Sequence, residues 1–79
     1  MTIDSALEEL QGHETNIKFV RLVKIVTEFF GKPRIKGSHY IFKTPWLGDP
    51  RINLQKERGK AKDYQVRQVI SALEKLKRA

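Results

Sequence analysis

Between Asn16 and Phe30, apolar side chains return every three or four residues: Phe19, Leu22, Val23, Val26, Phe29 and Phe30 form one stripe, while Lys18, Arg21, Lys24 and Glu28 stay largely off it. That period predicts an amphipathic helix with one face on a core. Gly31 supplies its stop, and Pro33 prevents continuation. Period-two segments follow. Pro33 to Lys36 reads as an edge strand, Gly37 as a turn, and Ser38 to Lys43 as a strand with Tyr40 and Phe42 on one face and His39, Ile41 and Lys43 on the other. Thr44 to Pro50, dense in Pro, Gly and Asp, predicts a connecting loop. After it Arg51 to Gln55 alternates again with Ile52 and Leu54 inward, so the two longer strands should pair as a hairpin. A second helical stripe, Tyr64, Val66, Val69, Ile70, Leu73 and Leu76, marks the C-terminal helix, which Asp63 is placed to cap.

The order is therefore α-β-β-β-α in an α+β fold, with a three-stranded antiparallel sheet, both helices packed on one face and the other face open. This is the arrangement of a double-stranded-RNA-binding domain in miniature. The chain has 79 residues, enough for one compact domain and no large enclosed cavity. Residues 16–79 are expected to form it. Residues 1–15 read as an N-terminal extension with a loosely attached turn, in which Ser5-Ala6-Leu7-Glu8 has the capping-box form and Gly12 ends the turn.

Charge changes this picture from fold to partner. Up to Gly31 there are three basic and five acidic residues, and from Lys32 onward thirteen basic and four acidic, within a net charge of +7. A field of that sign attracts polyanions, above all nucleic acid. A merely soluble basic surface is the plainer reading of the same charge. With no cysteine, neither a disulfide framework nor a thiolate metal site exists, and a reducing, cytoplasmic location is expected. His13 and His39 share no metal-ligand spacing, so no metal or other cofactor is expected. No targeting leader or stretch of about 18 apolar residues is present, and no membrane partner is expected.

His39 is the candidate for chemistry, because imidazole takes and gives protons near neutrality. Alternation sets it on the open face with Lys43, and beside Arg51, Asn53 and Gln55 of the neighbouring strand, a surface suited to a phosphate backbone. Lys56, Arg58, Lys60 and Lys62 fall in an apolar-poor segment, expected to be a solvated loop that adds diffuse phosphate attraction. His13 reads as a surface residue. Trp46 either stacks on a base or folds over the small core.

Three stretches, Lys36-Gly37-Ser38-His39-Tyr40-Ile41-Phe42, Gly48-Asp49-Pro50-Arg51-Ile52-Asn53 and Tyr64-Gln65-Val66-Arg67-Gln68-Val69, resemble in order and spacing the HicA toxins of bacterial toxin–antitoxin pairs. The resemblance runs from about Asn16 to Leu76. It implies a small mRNA-cleaving enzyme of double-stranded-RNA-binding-domain-like fold, with His39 catalytic, no metal, and a HicB-like antitoxin as protein partner. RNA contacts are then expected from Lys36, Ser38, Lys43, Arg51, Lys56, Arg58, Lys60 and Lys62. Two departures stand out. Tyr40 occupies the place where many HicA-like sequences carry a second histidine, and the N-terminal extension lies outside the usual core. A non-catalytic RNA-binding module, or a protein whose basic surface meets an acidic partner, would share the charge and the fold.

Overall fold

The computed structural model describes residues 1–79. The chain runs α1 (Ile3–Leu10), α2 (Phe19–Phe30), β1 (Arg34–Lys36), β2 (His39–Lys43), β3 (Arg51–Gln55) and α3 (Asp63–Arg78). It is a small α+β fold with three helices and a three-stranded antiparallel sheet in the order β1-β2-β3. Alternation decides which side of the sheet is covered. Phe42, Ile52 and Leu54 are buried with Phe19, Leu22, Ile25 and Val26 of α2 and Val66, Val69, Ile70 and Leu73 of α3, whereas His39, Lys43, Arg51 and Asn53 are exposed. Tyr40 joins the covered side, its ring edge-on to Phe19 at 5.1 Å. No helix is long and apolar enough to cross a membrane.

The N-terminal turn expected to hang loosely is instead a helix built into the core. Thr2, not Ser5, is its N-cap: the Ser5 N–H donates to Thr2 Oγ1 and the Thr2 N–H to Ser5 Oγ, each at 3.0 Å. Starting there admits Ile3 to the helix and completes an apolar face at i, i+3, i+4 and i+7, of which Ala6, Leu7 and Leu10 are buried. Glu9 on the same helix receives Arg21 of α2 in a bidentate pair of 2.6 and 2.7 Å. That hydrogen-bonded guanidinium holds the Glu9 carboxyl below its usual range. Ile25, one turn after Arg21 on the same flank, is fully buried although it lies off the predicted stripe.

Four other expectations are corrected. Asn16 to Lys18 does not begin α2: the Asn16 N–H closes a turn on the His13 carbonyl at 2.9 Å, and Ile17 and Lys18 are held against the 59–61 segment, the Ala61 N–H donating to the Ile17 carbonyl at 2.9 Å and the Phe19 N–H to the Gly59 carbonyl at 3.0 Å. The basic segment 56–62 is thus not a free solvated loop. It folds back through a tight turn, Arg58 at φ 55 and Gly59 at φ 78, that pairs Glu57 with Lys60 and Lys60 with Lys18. Tyr64 is exposed and Gln65 is buried in its stead. Tyr64 precedes Val66 by two residues, about 200° round the helix, and so faces away from the stripe it was grouped with. Asp63 is the first residue of α3 rather than its cap, its carboxylate accepting from the Tyr64 N–H at 2.8 Å.

Leu10 is fully buried. Its replacement by alanine should therefore cost roughly 2–5 kcal/mol. A denaturant titration followed by circular dichroism measures this, and a change near zero would mean that α1 is detached from the core after all.

Candidate active site on the open sheet face

The position of His39 is fixed by the turn before it. Lys36 pairs with His39 across a two-residue connection, Gly37-Ser38, in which Gly37 adopts φ 61. Positive φ at the first central residue and not at Ser38 belongs to a type II′ hairpin, whose twist matches that of its strands and which glycine adopts without strain. On the other side β3 pairs Gln55 with His39, Asn53 with Ile41 and Arg51 with Lys43. Residues that face each other across antiparallel strands share a side of the sheet. The open face therefore carries Arg34 and Lys36 from β1, His39, Ile41 and Lys43 from β2, and Arg51, Asn53 and Gln55 from β3. Its strands supply four permanent cations and one imidazole, and of those cations only Arg51 is bonded to a carboxylate, Asp49 of the preceding loop at 2.8 Å.

Asn53 is diagonal to His39, and its Oδ1 lies 3.2 Å from His39 Nδ1. With the amide oxygen oriented as assigned, the neutral ring must carry its proton on Nδ1, because only an N–H can donate to that oxygen. Nε2 is then left with a free lone pair. The arrangement provides a solvent-accessible base held by one hydrogen bond from behind, beside cations able to stabilise an anion.

The eight residues expected to contact RNA divide in two. Lys36, Lys43 and Arg51 share the open face with His39, and Ser38 stands in the turn beside it, its carbonyl accepting from the Lys56 N–H at 2.8 Å. Lys56 lies on the other side of the sheet, in a shallow hollow with Phe19, Val20, Val23 and Tyr40. Arg58 and Lys60 belong to the tight turn that braces α2. Lys62 is bonded to Glu57 at 2.8 Å, which raises its pKa and lowers that of the carboxylate. The structure brings together the first group and not the second. Trp46 packs on Phe30 at 5.8 Å, with the Lys75 ammonium 4.4 Å from its ring centre, so it folds over the core edge. His13 is exposed in the link between α1 and α2.

Two open-face residues carry more than the sequence pattern assigned to them. Arg34 was not singled out, although its phase with Lys36 in a strand beginning near Pro33 was a usable signal. Asn53 was placed on the face without a role, because the diagonal contact follows from register. No group of three or more His, Cys, Asp or Glu side chains stands close enough to hold a metal ion.

Asn53→Ala should release the ring. In the native protein, nitrogen-15 NMR of His39 in mildly alkaline solution should show the Nδ1–H tautomer, and in the variant a shift toward Nε2–H. An unchanged tautomer ratio would remove Asn53 from the site. No family model matches the chain, and no curated protein or solved structure matches it either.

Proposed function

We propose that the protein is a metal-independent endoribonuclease in which His39 acts on a phosphodiester of mRNA, working as the toxin of a HicA-like pair restrained by a HicB-like antitoxin. The observation that carries the catalytic part is the placement of His39: an imidazole with Nδ1 engaged by Asn53, on a sheet face with four cations of which only Arg51 is paired with a carboxylate. The toxin and antitoxin assignments rest on the resemblance of the Lys36–Phe42 stretch and its companions to that family. A double-stranded-RNA-binding-domain-like arrangement of α2, the sheet and α3 belongs to the same reading, with α1 added to it.

In this mechanism Nε2 of His39 takes the proton from a ribose 2′-OH while that oxygen attacks the adjacent phosphorus. The bond to the 5′-oxygen breaks, and the leaving oxygen receives a proton, returned by the imidazolium or drawn from water. The products are a 2′,3′-cyclic phosphate and a 5′-hydroxyl. Lys36, directly across from His39, is placed to stabilise the charge that builds on the phosphoryl oxygens. General-base catalysis contributes about 10²–10⁴-fold, enough for slow cleavage of an abundant substrate. Tyr40 takes no part, since its ring is turned to Phe19 on the covered side.

His39→Ala should abolish RNA cleavage and growth arrest while leaving the circular dichroism spectrum and RNA affinity close to native. Cleavage should persist in excess EDTA and fail on an RNA with a single 2′-deoxy sugar at the cleaved position. Cleavage by the folded alanine variant, or of the deoxy substrate, would overturn the proposal.

A further inference from the structure

At the end of the open face remote from Gly37, strand pairing sets like charges against each other. Lys43 stands directly across from Arg51, and Arg34, opposite Ile41, is diagonal to Lys43. Cations paired across strands repel and destabilise a sheet. Lys32, from the link after α2, joins them, and the four line a cleft of about 430 Å³ whose remaining walls are Phe30 and Ile41. Only Arg51 has an acidic partner, Asp49, at 2.8 Å, and the Arg51 guanidinium, with Lys43 behind it, holds the Asp49 carboxyl below its usual range. Lys32, Arg34 and Lys43 make no ion pair. Four cations on one cleft against one exposed carboxylate leave an excess of positive charge that an anion would neutralise.

We propose that this cleft binds a second phosphate of the RNA strand whose cleaved phosphate lies at His39. His39 and Lys43 are separated by four residues of β2, about 13 Å at ~3.3 Å per residue. One phosphate does not reach both places, but non-adjacent phosphates of one strand do. A phosphate seated among Lys32, Arg34, Lys43 and Arg51 would set the register of the strand along β2 and so choose which 2′-OH meets Nε2. The guanidinium groups of Arg34 and Arg51 suit the bidentate geometry of a phosphate, and the apolar floor of Ile41 and Phe30 strengthens those contacts by keeping water from one side. The cleft rests on the reading of this face as an RNA surface and not on cleavage by His39.

The test compares the native protein with Lys32→Gln/Arg34→Gln/Lys43→Gln, three exposed positions outside the cleavage centre that carry the cleft's unpaired cations. The probe is a short single-stranded RNA with 2′-O-methyl sugars throughout, which binds without being cut, followed by fluorescence anisotropy over a range of salt. Because the three cations share one phosphate and Arg51 is engaged by Asp49, the slope of log K against log salt should become shallower by ~0.7, the value for one single-strand contact. Affinity should fall several-fold. An unchanged slope would overturn the proposal, and so would a loss of ~1.4, which would mean two phosphates held separately. A second readout separates a binding role from a structural one: without RNA the triple variant should melt at a higher temperature, since repulsion is relieved, and a lower melting temperature would count against the cleft. If instead a polyglutamate peptide loses affinity for the variant while the RNA probe does not, the cleft serves an acidic protein and the proposal falls. These slopes do not depend on His39 chemistry, so cleavage by His39→Ala would sink the assignment of catalysis to His39 and leave this result standing.

Discussion

The structure depends on covering one side of a three-stranded sheet and only one. Phe42, Ile52 and Leu54 point into the layer formed by α2 and α3, and the period of two forces every residue between them to the opposite side. A slip of one residue in β2 would bury His39 and Lys43 and expose Phe42, which fixes the register strongly. The Gly37 turn and the buried phenylalanine thus locate His39 from two directions. The open face is what remains when a chain of this size has used its apolar side chains on the other.

Charge is sorted by the same geometry. Most of the acidic groups that form ion pairs do so away from the open face: Glu9 with Arg21 between α1 and α2, Asp4 with Lys77 between α1 and α3, Glu57 with Lys62 across the tight turn, and Asp63 with Arg67 along α3. Such exposed pairs contribute little to stability individually. Their consequence is distributional. Carboxylates are consumed around the helices and the turn, and the sheet is left with cations that lack partners. A surface so arranged accepts a strand of phosphates more readily than a neutral ligand, because counterion release favours the polyanion.

Much of this was legible in the residue pattern, and the failures have specific causes. The inward Ile52 and Leu54, the outward His39 and Lys43 and the stop at Gly31 follow from period and glycine alone. In residues 1–10 the Ser5-x-x-Glu8 pattern mimics a cap and points to a loose turn, whereas the apolar spacing of Ile3, Ala6, Leu7 and Leu10 describes the buried helix face that forms. The 56–62 segment misled through its composition. Its lysines mark solvent exposure correctly, but its backbone bonds to Ile17 and Phe19 are non-local and leave no trace in a short window. Asn53 shows the same limit, since alternation gives the face while only pairing gives the neighbour.

On the function proposed above, RNA meets the open face and not the basic turn. Amide and side-chain chemical shifts recorded while a short non-cleavable RNA is added to His39→Ala protein test it most directly. The account predicts shifts concentrated at Arg34, Lys36, Ala at position 39, Lys43, Arg51 and Asn53, with Lys56, Arg58, Lys60 and Lys62 nearly unmoved. Shifts centred on residues 56–62, with the open face silent, would contradict it.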